Sequence, residues 1–186
     1  MNTVSLPAAS LMDATGVQAT VTQLAQAIGE SLTDLTRLAF VGIRTRGVPL
    51  ARRLAGKLGA AGPPLPVGVL DITLYRDDLT RIAPHPVVHK TEIPFDLTDR
   101  DVVLVDDVLY TGRTVRAALD SLMDLGRPRV VRLAVLIDRG HHELPIAADF
   151  VGRRLECGPT DLVQVSFEET DGRDGAELLP RAAQRS

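Results

Sequence analysis

Two acidic residues and a loop rich in hydroxyl groups follow one apolar run near the middle of the chain. Asp106 and Asp107 come directly after Val102–Val105, and Thr111–Thr114 follows shortly afterwards. A buried strand would carry both carboxylates to its carboxyl end, where they can bind sugar hydroxyls or lie near Mg²⁺. The threonine segment opens a helix, whose free amides bind anions, and Gly112 permits close backbone approach. The pattern predicts a ligand with both a diol and a phosphate, and a plain capped turn is the simpler alternative.

A second polar turn, Arg44-Thr45-Arg46-Gly47, lies between an apolar run and a helical pattern. Guanidinium groups donate in a planar fork that matches phosphate oxygens. We therefore expect this turn to bind a second anionic group such as a diphosphate. Arginines that simply face solvent are the alternative, and the first motif makes that alternative weaker.

Several common catalytic signatures are missing from the sequence. It contains no nucleotide-binding P-loop motif and no glycine fingerprint of dinucleotide-binding folds. His142-Glu143 lacks the second histidine of a zinc-binding helix, and no nucleophile elbow of the G-x-S-x-G type occurs. The sequence therefore gives no support for nucleotide hydrolysis by a P-loop enzyme or for dinucleotide binding. It gives none for zinc-dependent or serine-hydrolase chemistry either.

The elements that must position these turns alternate between strand and helix. Asp13 or Thr15 is a candidate cap for the first helix, and 76–94 and the polar insert 141–154 match neither period. The predicted elements are a helix through Val17–Leu32, a strand at Leu38–Ile43, a helix from Val48 to Gly59, strands at Val67–Tyr75 and Val102–Val105, a helix through Val115–Leu125, and strands at Val130–Ile137 and Leu162–Phe167, before a turn at 170–175 that closes a small hairpin. This order predicts an α/β fold with an open, mainly parallel sheet and helices on both faces.

Composition limits the function classes further. The chain has 186 residues, 21 Lys plus Arg against 24 Asp plus Glu, and a single cysteine, Cys157. This length predicts one domain over 1–186, and a lone cysteine suits a reducing compartment. No membrane-length apolar run or secretory signal is visible, so we expect a cytoplasmic protein without membrane contact. Six aromatic residues, none of them Trp, are too few for a base-stacking platform.

Val103–Thr114 resembles the phosphoribosyl diphosphate signature of type I phosphoribosyltransferases. Further segments resemble a narrower group, the bacterial pyrimidine-operon regulators that are also uracil phosphoribosyltransferases: Val41–Val48, Leu70–Leu79, and Leu136–His141 with Glu143–Ile146. The similarity runs in order from about Val17 to Asp174. It implies the reaction of uracil with phosphoribosyl diphosphate to give UMP and diphosphate, with Mg²⁺ as cofactor.

The resemblance also implies roles for individual residues. Asp106 and Asp107 would bind the ribose hydroxyls and contact the metal only indirectly, through the magnesium complex of the substrate. With Arg46 they form the expected catalytic set. The expected substrate-binding residues are Thr45, Arg46 and Gly47 for the diphosphate, in a loop where such enzymes often carry a strained peptide; Thr111, Gly112, Arg113 and Thr114 for the 5′-phosphate; and Val108, Leu109, Tyr110, Arg76 and Arg139. A lid at about 76–94 and a hood at about 138–158 plus the C-terminal hairpin would cover the site.

Further expectations concern single residues. A phenol has a pKa near ~10, so Tyr110 is a poor general base, and orientation with leaving-group stabilisation should dominate catalysis. Asp71 falls inside a predicted strand, so we expect it to be buried and paired with a loop arginine. His141 and His142 fit a surface turn, although contact with base or RNA is the alternative.

The resemblance adds a regulatory partner, pyrimidine-operon leader RNA bound when UMP is present, and a homo-oligomer of two or more chains. RNA binding needs a basic face. Ala19–Gln26 of the first helix carries no basic residue, whereas relatives typically have Arg and His there. Three alternatives therefore stay open: a phosphoribosyltransferase for another base that has lost RNA binding, a UMP sensor with little catalysis, and a signalling receiver domain. The receiver is disfavoured because its paired acids would follow the first strand.

Overall fold

The computed structural model describes residues 9–32, 34–62, 64–73 and 90–179. The strands are β1 (Ala9–Met12), β2 (Leu38–Ile43), β3 (Val67–Leu70), β4 (Asp101–Leu109), β5 (Val130–Asp138), β6 (Phe150–Arg154), β7 (Leu162–Ser166) and β8 (Gly175–Leu179). The helices are α1 (Ala14–Ser31), α2 (Gly47–Leu58), α3 (Arg113–Leu125) and the single turn α4 (Glu168–Asp171), with a 3₁₀ turn at Gly59–Ala61.

Five strands form the central sheet in the order β3-β2-β4-β5-β6, and every pairing between them is parallel. All six residues of β2 are buried, as are the first six of β4, because helices cover both faces. This confirms the predicted α/β class. Since β2 and β4 are neighbours, with Gly42 opposite Val105, the loops that leave their carboxyl ends meet at one edge of the sheet.

Helices cover the two faces of this sheet separately. The apolar sides of α1 and α2 pack on one face with Phe40 and Val103, together with the small antiparallel sheet β1-β8-β7. The apolar side of α3 packs on the other face with Val41 and Leu104. Asp13 caps α1 as predicted, accepting a hydrogen bond from the Gly16 N–H at 2.7 Å.

Three predicted boundaries were wrong. The strand β3 ends at Leu70 rather than Tyr75, although residues 74 and 75 themselves lie outside the described part of the chain. The strand β4 continues through both aspartates to Leu109, because it pairs with β5 as far as Asp138. The predicted polar insert 141–154 contains β6, which extends the central sheet beside β5.

The predicted lid 76–94 falls mostly outside the described residues, which resume at Lys90. Glu92 then forms an antiparallel bridge with Val69 of β3, with 2.8 Å hydrogen bonds in both directions. This bridge fixes the end of the predicted lid on the edge strand. No helix of the described residues is both long enough and apolar enough to cross a bilayer.

Candidate active site

The loop after β2 lies directly against the end of β4. A Cβ atom added at Gly47 would overlap the backbone carbonyl of Val105, and one added at Gly42 would come within 2.6 Å of the Val48 Cα. Only glycine fits at both positions without a backbone shift. These close approaches bring Arg46 near Asp107, whose charge helps to raise the pKa of the Arg46 guanidinium.

Asp106 and Asp107 are adjacent acids near the carboxyl end of β4. Asp106 is buried and accepts a hydrogen bond from the Asp107 N–H at 3.0 Å, whereas Asp107 is half-buried. Burial, then the charge of Asp107, raises the pKa of Asp106 well above its ordinary value. Burial also raises the pKa of Asp107, against the opposing effects of its hydrogen bond with Asp106 and of the Arg46 charge. The folded protein therefore maintains two carboxyl groups at an electrostatic cost, as functional sites often do.

The turn between β4 and α3 has the geometry of an anion site. Gly112 occupies the N-cap of α3 with φ +88°, and has no side chain to cap the first amides of the helix. The Thr111 carbonyl accepts hydrogen bonds from the Glu143 and Leu144 N–H groups at 3.0 and 3.1 Å. The turn is thus held from outside, and inside it the Arg113 N–H donates to the Thr111 hydroxyl at 3.3 Å. The N-terminus of a helix attracts anions, so this turn is suited to a phosphate.

The other predicted residues of this strand and turn differ in their surroundings. Leu109 is buried and Val108 packs on the core, so both belong to β4 rather than to a loop. Thr114 is half-buried in the first turn of α3. The Arg113 side chain is about half exposed and forms an ion pair with Glu143 at 2.9 Å. Because the guanidinium points toward Glu143, the part of Arg113 that lies in the anion turn is its backbone.

The loop after β2 contains a cis peptide bond between Arg44 and Thr45. Thr45 is exposed, and Arg46 donates from Nε and Nη2 to the two carboxylate oxygens of Asp171, at 3.1 and 2.7 Å. This pairing raises the pKa of Arg46 and lowers that of Asp171. Nothing in the sequence pattern pointed to Asp171, which lies 125 residues away from Arg46.

Tyr110 and Arg139 form a second cluster beside the turn. The Arg139 guanidinium lies 3.9 Å from the centroid of the Tyr110 ring and donates to the carbonyls of Asp161 and Gly158 at 2.5 and 3.0 Å. The Tyr110 hydroxyl donates to the Pro159 carbonyl at 3.1 Å. The predicted substrate contact Arg139 is therefore a buried side chain that holds the 158–161 loop.

Three further predicted positions have clear surroundings. Asp71 is buried as expected but follows β3, and its carboxylate accepts from the Thr73 amide and hydroxyl at 2.8 and 2.5 Å. His142 contacts Asp138 at 2.9 Å, and the exposed His141 contacts the Cys157 carbonyl at 2.8 Å. Arg76 lies outside the described residues.

Comparison with known proteins now decides the family. A model of the phosphoribosyl transferase domain matches residues 8–173. The chain belongs to the phosphoribosyltransferase family. Within it, the chain is 54% identical to the bifunctional protein PyrR of Deinococcus deserti, over 94% of this chain and 96% of that one. It is 56% identical to the bifunctional protein PyrR of Thermus thermophilus, over 93% and 96%.

Solved structures support the same fold. A hypoxanthine-guanine phosphoribosyltransferase from Bacillus anthracis superposes with a TM-score of 0.71 at 15% identity, covering 93% of this chain and 98% of that one. A purine phosphoribosyltransferase from Pyrococcus horikoshii gives 0.58 at 24% identity, over 77% and 85%. These likenesses establish the type I fold.

Proposed function

We propose that the protein transfers the phosphoribosyl group of phosphoribosyl diphosphate to uracil, giving UMP and diphosphate. The observation that carries this proposal is the meeting of the acid pair, the anion turn and the Arg46 loop at the carboxyl ends of β2 and β4. In an open parallel sheet that edge is where ligands bind. The three parts match the hydroxyls, the 5′-phosphate and the diphosphate of one substrate.

The reaction breaks the bond between C1′ and diphosphate, so positive charge grows on the ribose while negative charge grows on the leaving group. Arg46, and Thr45 beside it, would stabilise the leaving diphosphate. Asp106 and Asp107 would accept hydrogen bonds from the ribose hydroxyls and favour the positive ribose. Gly112 and Thr111–Thr114 would hold the 5′-phosphate so that C1′ stays aligned with uracil.

Magnesium fits this site as part of the substrate. The described residues contain no group of three or more His, Cys, Asp or Glu side chains that could hold a metal ion by themselves. The oxygens of phosphoribosyl diphosphate would supply the remaining ligands that Mg²⁺ prefers, with Asp106 and Asp107 nearby. When bound, the ion supplies charge neutralisation at the diphosphate.

Tyr110 has no place as a general base in this mechanism. Its hydroxyl already donates to the Pro159 carbonyl, and its ring lies under the Arg139 guanidinium. Both contacts are structural: the hydroxyl proton is engaged by a backbone carbonyl and the ring by a guanidinium. Arg139 and Tyr110 would instead position the 158–161 loop beside uracil.

We further propose a regulatory role, UMP-dependent binding of pyrimidine-operon leader RNA, because the relatives are named bifunctional. Arg52, Arg153 and Arg154 are exposed and supply basic charge for phosphates. The outer side of α1 supplies none, since its exposed residues are uncharged apart from Glu30. We also propose that the protein acts in the cytoplasm, that residues 1–186 form one domain, and that two or more chains assemble.

The enzymatic role is tested by mixing the protein with Mg²⁺, phosphoribosyl diphosphate and each nucleobase, and measuring nucleotide formation. We expect UMP from uracil and no product from hypoxanthine or guanine. A preference for a purine, with the acid pair intact, would exclude the uracil assignment.

The regulatory role is tested separately by a gel shift of leader RNA at moderate salt, with and without UMP. We expect UMP to strengthen the shift, and replacement of Arg153 and Arg154 by Gln to weaken it. A shift that ignores UMP, or none at all, would remove this second role while leaving the enzymatic one intact.

A further inference from the structure

Asp171 binds only one side of the Arg46 guanidinium. The Nε and one Nη2 hydrogen face its carboxylate, at 3.1 and 2.7 Å. A guanidinium has five N–H donors in a rigid plane, so this side-on pairing leaves both Nη1 hydrogens and the second Nη2 hydrogen. One Nη1 hydrogen and the second Nη2 hydrogen point off the end of the guanidinium and form a second edge that can bind two phosphate oxygens.

The carboxylate of Asp171 is itself held in place. Its Oδ2 accepts hydrogen bonds from the Phe167 N–H at 3.0 Å and from the Thr170 hydroxyl at 2.8 Å. The short helix α4 that carries Asp171 is tied to α2 by Arg53, which pairs with Glu169 and Asp174 at 2.6 and 2.7 Å. Asp171 therefore occupies a braced turn and provides a fixed point for a long, otherwise mobile side chain.

We propose that Asp171 is a positioning residue for the diphosphate of the substrate: it clamps Arg46 from one side and leaves the end of the guanidinium for the leaving group. This inference rests on the proposed diphosphate role of the Arg46 loop. A free arginine loses rotamer freedom when it is fixed. Asp171 imposes that loss before the substrate arrives, so binding energy is not used to order the side chain.

A purely structural role for Asp171 makes a different prediction. In that case the pair only attaches α4 to the sheet, and its loss lowers stability without changing affinity for any one substrate. The neighbouring pair of Arg53 and Glu169 is a natural comparison, because it has the same side-on geometry, through Nε and Nη2 at 2.9 and 2.6 Å. It also anchors α4, to α2 rather than to the loop after β2, and does not include Arg46.

The test compares Asp171→Asn with Glu169→Gln. In Asp171→Asn, the amide oxygen can replace Oδ2 and keep the Phe167 and Thr170 contacts, while the amide nitrogen faces Arg46 Nη2 and repels it. Because the pair is partly exposed, we expect about a fivefold rise in KM for phosphoribosyl diphosphate. Inhibition by diphosphate should weaken by the same factor, with kcat and the KM for uracil nearly unchanged.

Glu169→Gln should leave both the KM for phosphoribosyl diphosphate and the inhibition by diphosphate unchanged. Equal effects of the two variants, or a loss of thermal stability in Asp171→Asn without any change in KM for phosphoribosyl diphosphate, would overturn the inference. Arg46→Ala tests the proposed diphosphate role of the Arg46 loop separately from the positioning role of Asp171. If Arg46→Ala does not weaken diphosphate binding, the proposed role of the loop fails as well; if it does, adding Asp171→Asn to it should have no further effect.

Discussion

The loops after β2 and β4 lie side by side at one edge of the sheet, yet they are built in different ways. In the β4 loop the proposed anion-binding groups are local backbone: Gly112 lies at positive φ, a helix begins directly after it, and the Glu143 and Leu144 amides hold the Thr111 carbonyl. The β2 loop depends on distant partners. Gly47 is required because a neighbouring strand passes close to it, and Arg46 is paired with Asp171 in the C-terminal turn.

This difference suits the two groups that the loops are proposed to bind. The 5′-phosphate stays on the sugar from substrate to product, so a rigid local cradle suffices. The diphosphate leaves, so its partner must stabilise the transition state without binding the product too firmly. Arg46, held in one orientation by Asp171, is proposed to meet the leaving group in this way.

The largest effect should come from Gly47→Ala, which tests the close approach at the β2 loop. Its new methyl group would overlap the Val105 carbonyl, and backbone atoms of a central strand cannot move aside cheaply. We expect a loss of about 2–3 kcal/mol of unfolding free energy, measured by urea denaturation. Displacement of the loop beside Asp106 should also lower activity by about 100-fold.

Gly56→Ala is the matched control in the same helix. No atom outside the helix lies within 4 Å of a Cβ added there, and the position is exposed. Alanine should therefore stabilise the protein by about 0.5–1 kcal/mol, with unchanged activity. If both variants behave alike, the packing of the β2 loop against β4 is not what makes Gly47 necessary.

A second prediction concerns Asp106, at the point where the two loops meet. Asp106→Asn should lower kcat/KM for phosphoribosyl diphosphate by about 30-fold, because a charged acceptor for a ribose hydroxyl is lost. The same change should stabilise the protein at neutral pH by about 1 kcal/mol. Asp120→Asn, on the exposed side of α3, should alter neither quantity appreciably.

The predicted gain in stability of Asp106→Asn should also depend on pH in a definite direction. The pKa of Asp106 is higher in the folded protein than its ordinary value of 3.8, so the deprotonated carboxyl destabilises the fold. That cost is absent below the ordinary pKa and grows as pH rises toward the folded pKa. The stability advantage of Asp106→Asn should therefore vanish in acid. An advantage that persists unchanged at low pH would contradict the assignment.

The contrast between the loops also explains which features could be predicted from sequence. The strand before Asp106 and the helix after Gly112 follow from apolar periodicity and from one glycine, so the β4 turn was predictable. The continuation of β4 through both acids was not, because aspartate disfavours strands and only pairing with β5 keeps it extended. The short strand β6 was missed for a similar reason.

Contacts between distant residues were beyond prediction from sequence. Arg139 has the residue type of a substrate ligand, but its burial under Tyr110 and its carbonyl partners depend on where the 158–161 loop passes. Asp171 was not singled out, since an acid in a polar turn is normally exposed. Both cases involve charged side chains whose partners come from another part of the chain.

The smallest effect should come from Tyr110→Phe, which tests whether the β4 loop needs a proton-transfer group. The variant loses one hydrogen bond, to the Pro159 carbonyl, and keeps the ring under Arg139. We expect a loss of about 1 kcal/mol in unfolding free energy and less than a 10-fold fall in kcat. Tyr110→Leu, which also removes the ring from beneath Arg139, should in addition raise the KM for uracil. A fall in kcat beyond about 100-fold in a folded Tyr110→Phe protein would instead make the phenol an acid–base catalyst, and the β4 loop would then supply chemistry as well as position.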